Sequence, residues 1–278
     1  MLFSAFVGDS NRAALVELLG RRPSSIELDR AALEIAKIGF PELDIDFWVA
    51  ELDRHAFTIA DRAWDLSDGP HFIETTNRYL FGELGLRGND ENYYHADNSF
   101  LNRVLETGLG IPITLSLVYM EIAKRLVKTV HGIGLPGHFI VRFDDQNQSK
   151  YIDVYNGGMV VDEDDCRRLA RVETLEPHML APVDRRTIVM RMINNLRQVY
   201  FSQGEPAKAL KVLDLLLEAD PLSADEHKQR GVALLHLNRM AESAAAFRRY
   251  LEIFPKAPDR DQIQAQIKSL AYWVASRN

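Results

Sequence analysis

The feature that most restricts the fold of this chain is a spacing of 34 residues toward its C-terminal end. Gly204, Ala209, Leu213, Leu216 and Pro221 recur in kind as Asn238, Ser243, Phe247, Tyr250 and Pro255, with Gly231 and Leu234 on the helix that precedes the second set. A period of that length holds two helices and their turns, and each such unit must bury its apolar side on the next. The helical pattern begins near residue 188, and a last helix from Asp261 to Ser276, with Ile263, Ile267, Leu270 and Trp273 inward, supports the two repeats. Pro177 and Pro182 interrupt the pattern, so the boundary is placed between residues 176 and 188.

Residues 1 to about 95 read as short helices. Ser24 and Glu27 are spaced as a capping box, with Leu28, Ala31, Ala32, Ile35 and Ile38 at helical spacing behind them. After Gly39, Pro41 and the Asp44/Asp46 pair, Phe47, Leu52, Ala56, Ile59 and Ala63 resume that spacing until Asp68-Gly69-Pro70. A third helix is predicted from Phe72 to Leu84, with Phe72, Tyr79, Leu80 and Leu84 as core.

The middle of the chain changes character. Gly108, Gly110 and Pro112 lead into Ile113–Ala123, apolar on nearly every side, which predicts a buried helix with Pro112 in its first turn. Phe139–Phe143 and Tyr151–Tyr155, separated by a polar turn, predict a β-hairpin that ends at Asn156-Gly157-Gly158. If Phe143 pairs with Lys150, His138 and Asp153 share a face as diagonal neighbours, near enough for a carboxylate to orient an imidazole. A slip of one residue would separate them. Such a pair serves a nucleophile placed at the start of a neighbouring helix, and the helix at Pro112 is the candidate.

Charge and cysteine content narrow the classes. Lys plus Arg number 33 against 40 Asp plus Glu, a formal charge of −7, so neither nucleic acid nor anionic lipid is an expected partner. No apolar run approaches the roughly 18 residues that span a bilayer, and the first residues carry no basic leader, so a cytoplasmic protein is expected. The single cysteine, Cys166, fits a reducing compartment; in the acidic stretch Asp162–Asp165 it reads as a surface structural residue with a disfavoured thiolate. His95, Asp97 and His131 match no metal-ligand spacing, and neither metal nor cofactor is expected.

Four segments carry a resemblance. Asn98–Leu105, Gly110–Leu117, Leu135–Arg142 and the Ile152-Asp153…Gly157-Gly158 stretch resemble the transglutaminase-like domain of SirB-like bacterial proteins, and the 34-residue period resembles the tetratricopeptide repeat that follows it there. Arg197 stands where the first repeat would have glycine. The resemblance implies an α+β chain: a helical part (1–95) packed with a small antiparallel sheet in a papain-like core (96–180), then an all-α repeat region with a capping helix (181–278). It also implies a Cys–His–Asp site in which His138 and Asp153 match the last two members, while the nucleophile position falls at Ile111-Pro112.

Two readings of function follow. In the first, the protein is a non-catalytic interaction or regulatory protein; Arg191, Asn194, Asn195, Gln198 and Lys228, on or near the concave face of the repeat helices, hold a protein or peptide partner, such as an acidic or C-terminal peptide. In the second, it is a hydrolase or acyl transferase in which His138 and Asp153 activate water or a displaced hydroxyl such as Thr114 or Ser116.

Overall fold

The computed structural model describes residues 9–145 and 149–276, with side chains from residue 13 onward. The architecture is α+β, in two compact units that divide after Met192. The division falls within one continuous helix, Arg185–Ser202, beyond the 176–188 stretch at which the sequence breaks its pattern. Pro177 begins a single 3-10 turn and Pro182 bridges to Ile133, so both prolines belong to the first unit.

The first unit opens with α1 (Asp9–Gly20), α2 (Leu28–Ala36), α3 (Ile45–Arg62) and α4 (Gly69–Asn77), the last continuing into a wider π-type turn through Glu83. The expected capping box does not form. Pro23–Ser25 make a 3-10 turn, Ile26 leaves it extended, and Glu27 becomes the N-cap of α2 without a side-chain bond. Asp44 and Asp68 cap α3 and α4, each accepting from backbone amides of the first turn. On α3, Leu52, Ala56 and Ile59 are buried as their spacing predicts, whereas Phe47 is 54% exposed because it precedes the stretch that packs.

Strand β1 (Arg87–Gly88) pairs in parallel with β2 (Leu109–Gly110), on either side of the short α5 (Leu101–Thr107). The helix α6 (Pro112–Arg125) follows, with Pro112 in its first turn and a continuous buried run from Pro112 to Tyr119. A helix apolar all round has no solvent face, and α2, α3, β3 (Val130–Ile133) and β4 (Ile140–Asp144) all pack on it. Its last turn adds the polar network that ties the helices together: Arg125 reaches Asp29 of α2 at 2.7 Å, Asp53 of α3 at 2.6 Å and Glu121 at 2.9 Å.

The sheet runs in the order β3-β4-β5-β6, all antiparallel, with β5 at Ser149–Asp153 and β6 at Met159–Val161. Phe143 pairs with Lys150, the register on which the His138/Asp153 argument depends. Its second face covers α7 (Glu163–Ala170), where Cys166 is fully buried among Ile133, Leu135 and Ile140. The acidic residues around Cys166 lie on the outer side of that amphipathic helix, so its thiol is an interior group rather than a surface one.

The continuous helix Arg185–Ser202 is α8, and the second unit goes on with α9 (Pro206–Ala219), α10 (Ala224–His236), α11 (Met240–Ile253) and α12 (Arg260–Ala275). The repeat is explicit in its turns. Gly204 and Asn238, 34 residues apart, both adopt positive φ, at 67° and 58°, the left-handed conformation that glycine and asparagine tolerate best. At Gly231 a Cβ would lie 2.6 Å from the Phe247 ring, so glycine is what lets α10 and α11 approach. The first repeat has Leu213 where the second has Phe247, and Arg197 where the second has Gly231: a smaller partner accompanies the larger side chain. Ile263 and Leu270 of α12 are buried against Phe247 and Tyr250, while Trp273 is half-buried.

Candidate functional site

His138 sits two residues before β4, in the loop from Gly134, and its Nε2 lies 3.0 Å from Asp153 Oδ1 at the end of β5. The pair is made from a loop onto a strand end rather than between two paired strand positions. Asn156 completes the carboxylate's shell, donating from Nδ2 to Oδ2 at 2.7 Å and from its backbone amide to Oδ1 at 3.4 Å. Burial pushes the Asp153 carboxyl up, but the bonds from His138 and Asn156 outweigh it and hold the group below the ordinary carboxylate range. An ionised Asp153 accepts only, so a neutral His138 places its proton on Nε2 and presents the Nδ1 lone pair. Gly157 and Gly158, at φ 73° and 74°, turn the chain behind Asn156; a Cβ at Gly158 would meet the Phe81 ring at 2.2 Å.

The wall beside His138 is aromatic. The Tyr155 ring meets the imidazole edge-to-face at 6.0 Å, and its hydroxyl donates to Asp90 Oδ1 at 2.7 Å. Burial and the Asp90 carboxylate raise the pKa of Tyr155, which keeps the phenol protonated. Gly88 gives the ring its place, since a Cβ there would stand 2.4 Å from it, and the Gly88 amide donates to the Tyr155 carbonyl at 3.2 Å.

Asn98 joins this wall to the start of α6. Its Nδ2 donates to the carbonyls of Asn92 and Tyr93 at 2.7 and 3.0 Å, and its Oδ1 accepts from Asn89 at 2.9 Å. Its own carbonyl accepts from the Thr114 hydroxyl at 2.7 Å and the Ile111 amide at 3.4 Å. The α6 start is therefore fully engaged: Ile111 is the N-cap, Pro112 follows, and Thr114 Oγ1 also accepts from the Ile111 amide at 3.1 Å. Thr114 and Ser116 are both wholly buried, and Ser116 Oγ points to the Phe139 carbonyl at 3.5 Å. Cys166 is no substitute, because burial first and the surrounding carboxylates second push its thiol up to about 12.

The residues proposed from sequence to bind a partner are not all free to do so. Arg191, in the first unit, is turned to the His138 loop, and Lys228 is held by Asp259 at 2.6 Å and lies over the Tyr250 ring. Asn194 and Asn195 are half-buried and Gln198 is exposed. Asn194 Oδ1 is buried with no hydrogen-bond partner among the described residues. His95 accepts from the Asp97 amide and His131 pairs with Asp144 at 3.4 Å; among the described residues no three His, Cys, Asp or Glu side chains gather as a metal set. No described helix is long and apolar enough to cross a membrane.

Sequence reasoning did not single out Arg191 as a support for His138, nor Tyr155, Asp90 and Asn156. Asn156 carried a signal, standing three residues after Asp153 at a glycine turn, where asparagine commonly bonds back to the chain.

Residues 46–194 match the transglutaminase-like superfamily and residues 196–268 the tetratricopeptide repeat. A UPF0162 protein of Xylella fastidiosa is 30% identical over 260 residues, 89% of this chain and 91% of that one. A UPF0162 protein of Vibrio cholerae is 24% identical over 253 residues, 89% and 94% of the two chains. Human F-box only protein 21 is 27% identical over 140 residues, 48% of this chain and 22% of its own. With a paired His138 and Asp153 beside a buried helix and a repeat unit after it, the chain belongs to the transglutaminase-like superfamily, within the SirB-like UPF0162 family of bacteria.

Proposed function

We propose that this protein is a non-catalytic interaction or regulatory protein, cytoplasmic, that binds a protein or peptide partner through a transglutaminase-like domain and its repeats. The observation that carries the reading is the start of α6. Ile111, Pro112 and Ile113 bear no nucleophile, and the hydroxyls of the helix's first turns, Thr114 and Ser116, are buried and turned to backbone carbonyls. A base without a nucleophile accepts a proton but forms no acyl intermediate. The repeat unit supplies the docking element, and with Lys228 engaged by Asp259, its recognition face narrows to Asn194, Asn195 and Gln198.

The test is to treat the full chain with thiol- and hydroxyl-directed acylating probes, and to assay amide hydrolysis and amine transfer. The reading requires no site-specific adduct and no turnover dependent on His138. A second reading, hydrolysis by water activated at His138, draws support from the intact Asp153 pairing; turnover abolished by His138→Ala without any adduct would establish it instead.

A further inference from the structure

Arg191 is a half-buried guanidinium on α8, and the groups that hold it are neutral. Its Nη2 donates to the His138 carbonyl at 3.1 Å and to the Leu135 carbonyl at 3.4 Å. Its Cζ lies 5.2 Å from the centroid of the Phe139 ring, over its face. Gly134 opens the space for it, because a Cβ there would lie 2.2 Å from Nη1. Three contacts thus converge on residues 135–139 of the loop that delivers His138 to Asp153. A surface arginine in a solvated role would gain a carboxylate or water; this one commits its Nη2 to two carbonyls of a single loop, at a cost in desolvation that lowers its pKa.

We propose that Arg191 is a positioning residue, fixing the 134–139 loop so that the His138 imidazole stays on Asp153 with Nδ1 presented outward. A guanidinium suits this role, since its Nη2 holds both carbonyls while its plane lies over the Phe139 face, which an ammonium on a flexible stem does less well. The inference rests on the His138/Asp153 pair as it is formed, and on no assumption about catalysis.

The experiment is nitrogen-15 NMR of the imidazole of His138 in the full chain, assigned with His138→Gln, for the native protein and for Arg191→Lys, Arg191→Met and Gly134→Ala. Gly134→Ala keeps the arginine and crowds it away from the carbonyls, so the geometry is perturbed with the charge intact. The expected result is loss of the slowly exchanging Nε2 proton of His138 in Arg191→Met and in Gly134→Ala, with Arg191→Lys only partly restoring it. An unchanged His138 spectrum in any folded Arg191→Met or Gly134→Ala protein, with lowered Tm alone, overturns the proposal and leaves Arg191 a packing residue. If Arg191→Met does not fold, Gly134→Ala decides. Because the readout is the imidazole itself, it stands or falls separately from the outcome of the acylation and turnover assays.

Discussion

Asp153 accepts from His138 through Oδ1 at 3.0 Å and from Asn156 through Oδ2 at 2.7 Å, so both oxygens of one buried carboxylate are engaged, one by the loop before β4 and one by a residue three positions on. Removing the imidazole leaves the buried Oδ1 with only the long 3.4 Å bond from the Asn156 amide. His138→Ala is expected to lower stability by about 1–3 kcal/mol, measured by denaturant titration. A cost indistinguishable from zero would mean that water replaces the ring freely.

The same carboxylate gives a pH dependence. The Asp153 carboxyl in the folded protein lies below its ordinary value of 3.8, so the unfolded chain binds its proton first. Its contribution to stability is complete above pH 3.8 and falls as the pH drops through the folded value. Asp29, raised by burial but lowered more by Arg125 and the Arg30 amide, acts in the same direction. Thermal unfolding over an acid series should show a shallower decline for Asp153→Asn than for the native protein.

Cys166 gives a prediction about reactivity. Its thiol is fully buried and pushed up to about 12, so a thiol reagent should leave it unlabelled in the folded chain and label it once denaturant is added. Prompt labelling under native conditions would contradict its place under the sheet.

In the repeat unit, Arg197 and Glu226 form a pair at 2.6 Å with each side chain 11% exposed. Burial already raises the Glu226 pKa, with Arg197 working against that rise. Arg197→Met should cost about 3 kcal/mol, and the loss should shrink on acidification as Glu226 takes up a proton. A loss independent of pH would count against an uncompensated carboxylate as its cause.

Gly231→Ala tests the close approach of α10 and α11. Alanine favours a helix by about 1 kcal/mol over glycine, yet here its methyl meets the buried Phe247 ring. The expected net effect is a lower Tm, with overpacking of roughly 1–3 kcal/mol exceeding the helical gain. A raised Tm would show that the ring moves aside at little cost.

Much of this protein was legible in its residues because the deciding signals are local or periodic. The 34-residue spacing marks the turns at Gly204 and Asn238, the apolar run after Pro112 has no face to give to water, and the Phe143–Lys150 pairing follows the alternation of the hairpin's two strands. Those features follow from backbone geometry and the alternation of apolar side chains, which neighbouring residues specify. What the tertiary structure decided are contacts between distant segments. The capping box at Ser24 gave way to a 3-10 turn, Cys166 turned inward under the sheet, and Lys228 was drawn to Asp259. Arg191, read from its helix position as a partner-binding residue, was taken by two carbonyls 53 and 56 residues away in the chain. A charged side chain pairs with whichever acceptor folding brings within reach, and a chain of letters carries its periodicity but not its distances.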